Sequence, residues 1–355
     1  MRIDSDLKFR PFSHTPGAGA LIPGSFWVVC AYPTKLVLKN LVSGKEKSLD
    51  LAVTGPVKRF TLLQDLERRA VLVFGTAEEG YFRLMLTHKE KKISILAKRT
   101  PASGLVIGRE KLKPKEMMQI SVAEKNYLPP YVEHLSLGCH KAQDVDLMRR
   151  RLELSELLPF WFRIGQLTPP TACPYEEGTL TLLGLIENEL EESDKLHIAK
   201  PFLELFVAGF SDVFVPRLID EQHQGVVPQI KVLKSGMSPL TLLTEGAGLI
   251  RSLFFQQKDD EIALLPCMPP ELHAGRLVNI HASDMFTCDI EWSKKSLRRV
   301  VIRPLKNISI TLRLQKSIKT YRVRTSPRAK GETVAAKDSL ILERGKPLFL
   351  DHFEA

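Results

Sequence analysis

The sequence predicts an α+β protein with an N-terminal β-sandwich-like domain, a central helical region of partial α/α type and a C-terminal antiparallel β-sandwich. Short apolar or alternating runs, separated by Gly, Glu and Lys turns, predict strands before residue 135 and after residue 261. Between these two parts, apolar residues recur at helical spacing. With 44% hydrophobic residues, the 355-residue chain can bury a sizeable core across several domains.

The first predicted domain spans residues 1–135 and is rich in β-type runs. Alternate residues of Tyr81–Thr87 are apolar, as in an antiparallel strand that is buried on one face. Pro11–Pro23 is rich in Gly and Pro and predicts a loop, and Pro33 interrupts the first strand-like run. The predicted strands are Ser25–Leu38, Ala70–Phe74, Tyr81–Thr87 and Lys92–Leu96.

The second predicted domain spans residues 136–260 and is helical. Pro159 lies inside the first helical pattern and is expected to kink or divide it. Ser238 is placed to cap the last helix, with Pro239 at its first position. The predicted helices cover Asp144–Gln166, Glu176–Glu192, a segment that ends near Asp212, and Ser238–Gln257.

The third predicted domain spans residues 261–355. Its β-like runs follow one another about every ten residues, a spacing typical of a sandwich. These runs are Ile262–Leu265, Leu277–His281, Phe286–Trp292, Arg299–Ile302, Ile308–Leu314 and Thr320–Arg324.

Several classes of protein are disfavoured by composition. No stretch approaches the roughly 18–20 unbroken apolar residues of a membrane span. Residues 1–10 lack the apolar run of a secretory signal, so we expect a cytoplasmic protein. The five cysteines are widely spread without a Cys-x-x-Cys pair, which predicts buried thiols and no metal site. Gly17-Ala18-Gly19 leads into no helix, and we expect no cofactor.

The positive charge is concentrated near the C-terminus. Of the net charge of +10, residues 294–331 carry more than the whole excess, with thirteen Lys or Arg and no Asp or Glu. If the strands pair, several arginines could share a face and bind anions, or simply form a charged outer face that protects a sheet edge. Only Tyr321 could stack on bases, which does not favour nucleic acid. The candidate anion ligands are Arg299, Arg303, Arg313, Arg322 and Arg324.

A polar loop beside the apolar helices is a candidate ligand site, although an exposed connecting loop is the favoured interpretation. Carboxylates and amides bind sugar hydroxyls, and Trp161 could supply a stacking plate. The candidate ligand-binding residues are Trp161, Arg217, His223 and Gln224. The candidate catalytic carboxylates are Asp212, Asp220, Glu221 and Glu245.

A run of motifs between Ser238 and about Leu314 carries a resemblance to a known family. The helix Leu249–Gln256 leads into Asp259-Asp260-Glu261-Ile262 and then Ala263-Leu264-Leu265-Pro266-Cys267-Met268-Pro269. Gly275-Arg276-Leu277, Asp289-Ile290-Glu291-Trp292 and Leu297-Arg298-Arg299-Val300 follow. This pattern resembles the end of the (α/α)6-barrel α-L-fucosidase-like glycoside hydrolases, where a barrel helix passes through a proline corner into a β-sandwich.

The resemblance implies a glycosidase-like fold but not the activity. In that family the loop that enters the last helix carries an Asp-x-Asn-Phe-Gly motif, and its Asp is implicated in the base. In this chain the three positions hold Thr241, Leu243 and Glu245. About four helices are visible where the barrel needs twelve, so the chain looks truncated as well.

Three functions therefore remain open at the level of sequence. The favoured one is a catalytically degenerate glycoside hydrolase-like protein that binds carbohydrate or serves as an interaction scaffold for a protein partner. The second is an active glycosidase with relocated carboxylates, since hydrolysis needs two of them. The third is an anion- or polyanion-binding module that uses the basic C-terminal sheet.

Overall fold

The computed structural model describes residues 3, 7–171, 173–191, 198–220 and 236–354. It confirms the α+β class, with strands on both sides of a helical segment. Most buried apolar side chains of all three regions join one continuous core. Among the described residues, no helix is long and apolar enough to cross a membrane.

The N-terminal region forms two six-stranded antiparallel sheets, in the orders β1-β6-β7-β8-β9-β12 and β11-β10-β5-β4-β3-β2. Alternation in β8 follows the prediction, because Phe82, Leu84 and Leu86 are fully buried on one face. The strands are β1 (Phe12–Ser13), β2 (Gly19–Leu21), β3 (Trp27–Tyr32), β4 (Lys35–Asn40), β5 (Glu46–Ala52), β6 (Lys58–Asp65), β7 (Ala70–Ala77), β8 (Gly80–Lys89), β9 (Lys92–Arg99), β10 (Leu105–Ile107), β11 (Glu110–Leu112) and β12 (Met117–Ser121).

The prediction of a loop over Pro11–Pro23 was wrong in part, since β1 and β2 lie within it. Phe12 pairs with Leu63 in β6, and Gly19 pairs with Cys30 in β3. These pairings with neighbouring strands offset the weak intrinsic strand preference of Gly and Pro.

The helical region contains α1 (Val145–Arg151), α2 (Leu154–Gln166), α3 (Thr181–Glu191), α4 (Ala199–Gly209) and α5 (Thr241–Phe254). The first predicted helix divides at Leu152, whose φ of 50° is left-handed, and not at Pro159. Pro159 lies only in the second turn of α2, where its missing N–H removes one hydrogen bond, to the Ser155 carbonyl. α2 therefore continues through the proline.

The C-terminal region forms a seven-stranded sheet, β13-β18-β19-β20-β25-β22-β23, and a four-stranded sheet, β16-β17-β21-β24. Every pairing in them is antiparallel except β17 with β21, which is parallel. The strands of these two sheets are β13 (His134–Ser136), β16 (Phe255–Lys258), β17 (Glu261–Leu264), β18 (Gly275–Ala282), β19 (Phe286–Ser293), β20 (Ser296–Pro304), β21 (Ile308–Arg313), β22 (Thr320–Arg324), β23 (Glu332–Ala335), β24 (Ser339–Leu342) and β25 (Leu348–Glu354). Two short strands that follow helix α4, β14 (Phe210–Ser211) and β15 (Val215–Pro216), form a separate antiparallel pair.

Helix α5 leads directly into the β16–β17 hairpin, as the motifs predicted. The helix ends at Phe254, three residues earlier than expected, because Phe255 is extended and pairs with Leu264. The backbone N–H of Leu265, which has a φ of 52°, donates to the Phe254 carbonyl at 2.8 Å. The helix begins at Thr241 with Leu240 as its N-cap residue, so the prediction of Ser238 as the N-cap was wrong. The Ser238 hydroxyl instead accepts a hydrogen bond from the Leu240 N–H, in the turn before the helix.

Two glycines let α5 pack closely against α2. A Cβ on Gly165 would lie 2.2 Å from the Leu243 carbonyl oxygen. A Cβ on Gly246 would lie 2.5 Å from the Trp161 ring. Neither position has room for a side chain, so the glycines fix how α5, and the hairpin after it, sits on the rest of the protein.

The two boundaries between the three predicted domains stay a prediction. At the first boundary, β13 pairs with β18 of the C-terminal sheet, with Leu135 opposite Leu277. The segment that leaves the N-terminal sheets is thereby joined to the C-terminal region, and this crossing builds the site described next.

Candidate functional site

A cleft of about 840 Å³ lies where α5 ends and the β16–β17 hairpin faces the end of β18. We call it the junction cleft. Its lining comes from residues 251–263, the end of β18, Tyr131 and Arg313. Its volume is far larger than the roughly 20 Å³ of a second cavity, which lies beside Phe9 and Phe160.

Arg251 lines the junction cleft and forms an ion pair with Glu133, which is buried behind it; we call this pair the floor of the cleft. Arg251 donates from Nε to Glu133 Oε2 at 2.8 Å and from Nη2 to Oε1 at 3.0 Å. Glu133 also accepts from the backbone N–H of His281 at 3.0 Å, and Arg251 donates to the His281 carbonyl at 2.9 Å. The Glu133 carboxylate therefore joins the segment before β13, helix α5 and strand β18 at one point.

Aromatic rings form one wall. The ring of Tyr131 stacks on the ring of His281, with centroids 3.8 Å apart and an interplanar angle of 12°. Tyr131 remains 44% exposed, so much of the ring faces solvent. The Arg251 guanidinium lies 4.7 Å from the centroid of Phe255, a cation–π contact that further orders the floor.

Amides and an ion pair also line the junction cleft. Arg313 donates from Nη2 to Gln256 Oε1 at 3.1 Å, and its Nε lies 3.4 Å from Glu261 Oε1. Gln257 accepts from the Ser283 hydroxyl at 3.3 Å. These groups lie at the surface, where they present both donors and acceptors to a polar ligand.

Within the described part of the chain, the carboxylates that line the junction cleft are those of Asp259 and Glu261. Both are exposed and both lie on the tip of the β16–β17 hairpin. Hydrolysis of a glycosidic bond generally needs carboxyl groups on either side of that bond, with the acid in a partly desolvated setting. The arrangement suits polar recognition better than acid catalysis.

Trp161, the predicted stacking plate, is fully buried. Its edge-on contacts are with Phe202 and Phe210, at centroid distances of 6.0 and 4.8 Å, and its Nε1 donates to the Leu242 carbonyl at 2.9 Å. A ligand could reach this ring only by displacing the helical core.

Arg217 and Asp220 lie at the end of helix α4. Arg217 donates from Nε to the Ala208 carbonyl at 2.9 Å and from Nη2 to the Val207 carbonyl at 3.1 Å. It therefore binds two carbonyls in the last turn of the helix. Asp220 accepts from the same guanidinium at 2.8 Å. This arrangement gives both residues a structural role. The other predicted members of the loop, Glu221, His223 and Gln224, lie outside the described residues.

Asp212 lies in the turn between β14 and β15, with a left-handed φ of 43°. The residue as a whole is exposed, but its carboxylate end lies against Gly19. Burial of that end raises the pKa of Asp212, while the Gly19 N–H and the Arg149 charge oppose the rise. Asp212 does not line the junction cleft.

The three positions compared with the family's motif, Thr241, Leu243 and Glu245, lie at the start of α5, away from the junction cleft. Glu245 accepts from the Tyr175 hydroxyl at 3.4 Å, and burial together with this carboxylate raises the pKa of Tyr175. Thr241 is fully buried and donates to the Thr171 carbonyl at 3.1 Å, and Leu243 is fully buried as well.

Each of the five predicted anion-binding arginines is paired with a carboxylate. Arg299 contacts Glu291, Arg303 contacts Asp289, and Arg313 contacts Glu261. Arg322 and Arg324 share Asp351, the former at 2.8 Å. An incoming anion would have to compete with these carboxylates, so the basic run offers a weaker anion site than its sequence indicates.

The sequence analysis did not identify the residues that build the junction cleft. Tyr131 follows Pro129-Pro130, Arg251 lies in a helix and His281 ends a strand, with no shared motif. A sequence signal existed only for the hairpin, in the Asp259-Asp260-Glu261 turn.

Comparison with known families gives one match. Residues 256–344, about a quarter of the chain, match the family model for the C-terminal domain of glycoside hydrolase family 95. The match confirms the resemblance of the C-terminal part to a glycoside hydrolase, and it includes Gln256, Glu261, His281 and Arg313 of the junction cleft. No curated protein matches the chain.

Proposed function

We propose that this protein binds carbohydrate in the junction cleft and does not hydrolyse it. The observation that carries the proposal is the coincidence of a glycosidase-like segment with a cleft that has an exposed aromatic ring, amides and an arginine–carboxylate pair. Sugars are bound by such surfaces, because their C–H faces pack on aromatic rings while their hydroxyls exchange hydrogen bonds with planar polar groups.

We infer the absence of hydrolysis from the identity and burial of Thr241. This residue stands where the resembling family places the Asp of its base, and a buried threonine hydroxyl cannot act as a carboxylate base. It also lies ten residues before Arg251 on the same helix, or about 15 Å along the axis. The junction cleft is thus separate from the position where that family's chemistry would occur.

The two other hypotheses, polyanion binding and glycosidase activity, have less support. Polyanion binding would use arginines that are already paired with carboxylates. Glycosidase activity in the junction cleft would have to use Asp259 and Glu261, the carboxylates that line it among the described residues, and these lie two residues apart on one exposed turn. A role as a protein scaffold stays a prediction.

The proposal is tested by screening the intact protein on an array of neutral, uronic and sulfated glycans. Hits are then measured by calorimetry and incubated for days to detect new reducing ends. We expect saturable binding to at least one class of glycan without release of reducing ends. Binding to no glycan would refute the binding claim, and steady release of reducing ends would refute the claim of degeneracy.

A further inference from the structure

We infer that the ligand of the junction cleft is a short neutral oligosaccharide, one of whose pyranose rings stacks on the exposed face of Tyr131. This inference rests on the proposed function and adds to it the class of sugar and the residue that selects it. It follows from the ring stack, the balance of charge and the polar groups that remain available.

The stack of Tyr131 on His281 is a supported platform. One face of the tyrosine ring packs on the imidazole at 3.8 Å, and within the described ranges no other ring covers the opposite face. Support comes from beneath, since the buried Glu133 carboxylate holds the His281 backbone N–H at 3.0 Å. A platform fixed before binding loses little conformational entropy when a sugar ring packs on it.

The charges around the junction cleft offset one another. Arg251 is matched by Glu133 and Arg313 by Glu261, while Lys258 and Asp259 follow one another at the hairpin tip. An acidic or sulfated sugar is normally held by cations that lack a fixed carboxylate partner. A neutral sugar needs no such excess, so the balance favours an uncharged ligand.

The remaining groups are suited to hydroxyls. Gln257 lines the cleft and accepts from Ser283 through its oxygen, so its amide N–H groups take no part in that hydrogen bond. The Arg313–Glu261 pair offers a donor and an acceptor side by side. A volume of about 840 Å³ lies towards the upper end of the size range of small-molecule sites and leaves room for more than one sugar ring.

The test compares neutral, uronic and sulfated oligosaccharides of equal length, each titrated into the intact protein at low and high salt. Three variants are included: Tyr131→Ala, Gln257→Ala and the control Tyr32→Ala. Tyr32 is 42% exposed, close to the 44% of Tyr131, and lies outside the junction cleft. Binding is followed by calorimetry and by the chemical shifts of the sugar C–H protons.

We expect the neutral sugars to bind most tightly, with little dependence on salt and with upfield shifts of C–H protons that face the tyrosine ring. Tyr131→Ala should weaken binding about fivefold to tenfold, as expected for loss of a stacked ring, whereas Tyr32→Ala should not. Gln257→Ala should weaken binding while leaving the upfield shifts in place, which gives a readout independent of any folding defect in Tyr131→Ala.

Two results would overturn the inference while leaving the proposed function intact. One is tighter, salt-sensitive binding of the acidic or sulfated sugars. The other is neutral binding that is unchanged by Tyr131→Ala and shows no upfield shifts. If no oligosaccharide of any charge binds, the proposed function fails as well.

Discussion

The floor of the junction cleft can be tested by replacing Glu133 with glutamine. The Glu133 carboxylate is 3% exposed and satisfies Arg251 and the His281 backbone N–H together. Glutamine has nearly the same shape but leaves the Arg251 charge without its counter-ion. Breaking a fully buried ion pair costs about 3–5 kcal/mol. Because Arg251 is 27% exposed and can regain some water, we expect a loss of about 2–4 kcal/mol.

The measurement is urea unfolding of Glu133→Gln followed by glycan titration. A matched control exists in Glu156→Gln, because the Arg151–Glu156 pair has the same exposures of 27% and 3% but lies between α1 and α2. Both variants should lose similar stability at an unchanged m-value. Only Glu133→Gln should weaken glycan binding, since it alone supports the Tyr131–His281 stack.

If Glu133→Gln unfolds at the wild-type urea concentration, the floor contributes nothing to stability. If the two variants bind glycan equally well, Glu133 does not support the Tyr131–His281 stack.

Further predictions concern packing and pH. Gly246→Ala should cost about 1–3 kcal/mol in urea unfolding, because its Cβ would lie 2.5 Å from the Trp161 ring, and a wild-type midpoint would contradict the close packing. Gly248→Ala on the same helix has open space and should be neutral or stabilising by up to about 1 kcal/mol. Burial alone would raise the pKa of Asp351, but its two arginine partners lower it below the usual value. Its contribution to stability should therefore be complete above about pH 4 and be lost as pH falls further, and acid unfolding of an Asp351→Asn variant should lack that component.

The junction from helix to hairpin could be predicted because its causes are local in sequence. Leu249–Gln256 shows helical periodicity, Asp259 and Asp260 suit a turn, and Pro266 follows the corner. The end of the helix could not be placed, because the pairing of Phe255 with Leu264 ends the helix at Phe254. The sequence analysis also did not predict the last three strands, β23, β24 and β25. Their local preference for strand is weak, and pairing within the sheets outweighs it.

The candidate site could not be predicted because it depends on contacts distant in sequence. Tyr131 and His281 are 150 residues apart, and no pattern in either segment indicates that they stack. The basic run was misleading for the same reason. Its partners Asp289 and Asp351 lie before and after residues 294–331, so the charge balance becomes visible only when β19, β20, β22 and β25 are neighbours in one sheet.

Proton NMR of one sample of the protein with a bound neutral oligosaccharide, followed over several days, shows whether the junction cleft holds a sugar without cleaving it. We expect persistent upfield shifts of sugar C–H protons, with every anomeric signal of the intact glycosidic bonds unchanged. Growth of reducing-end signals beyond the rate without protein, or no shift at any protein concentration, would contradict this expectation.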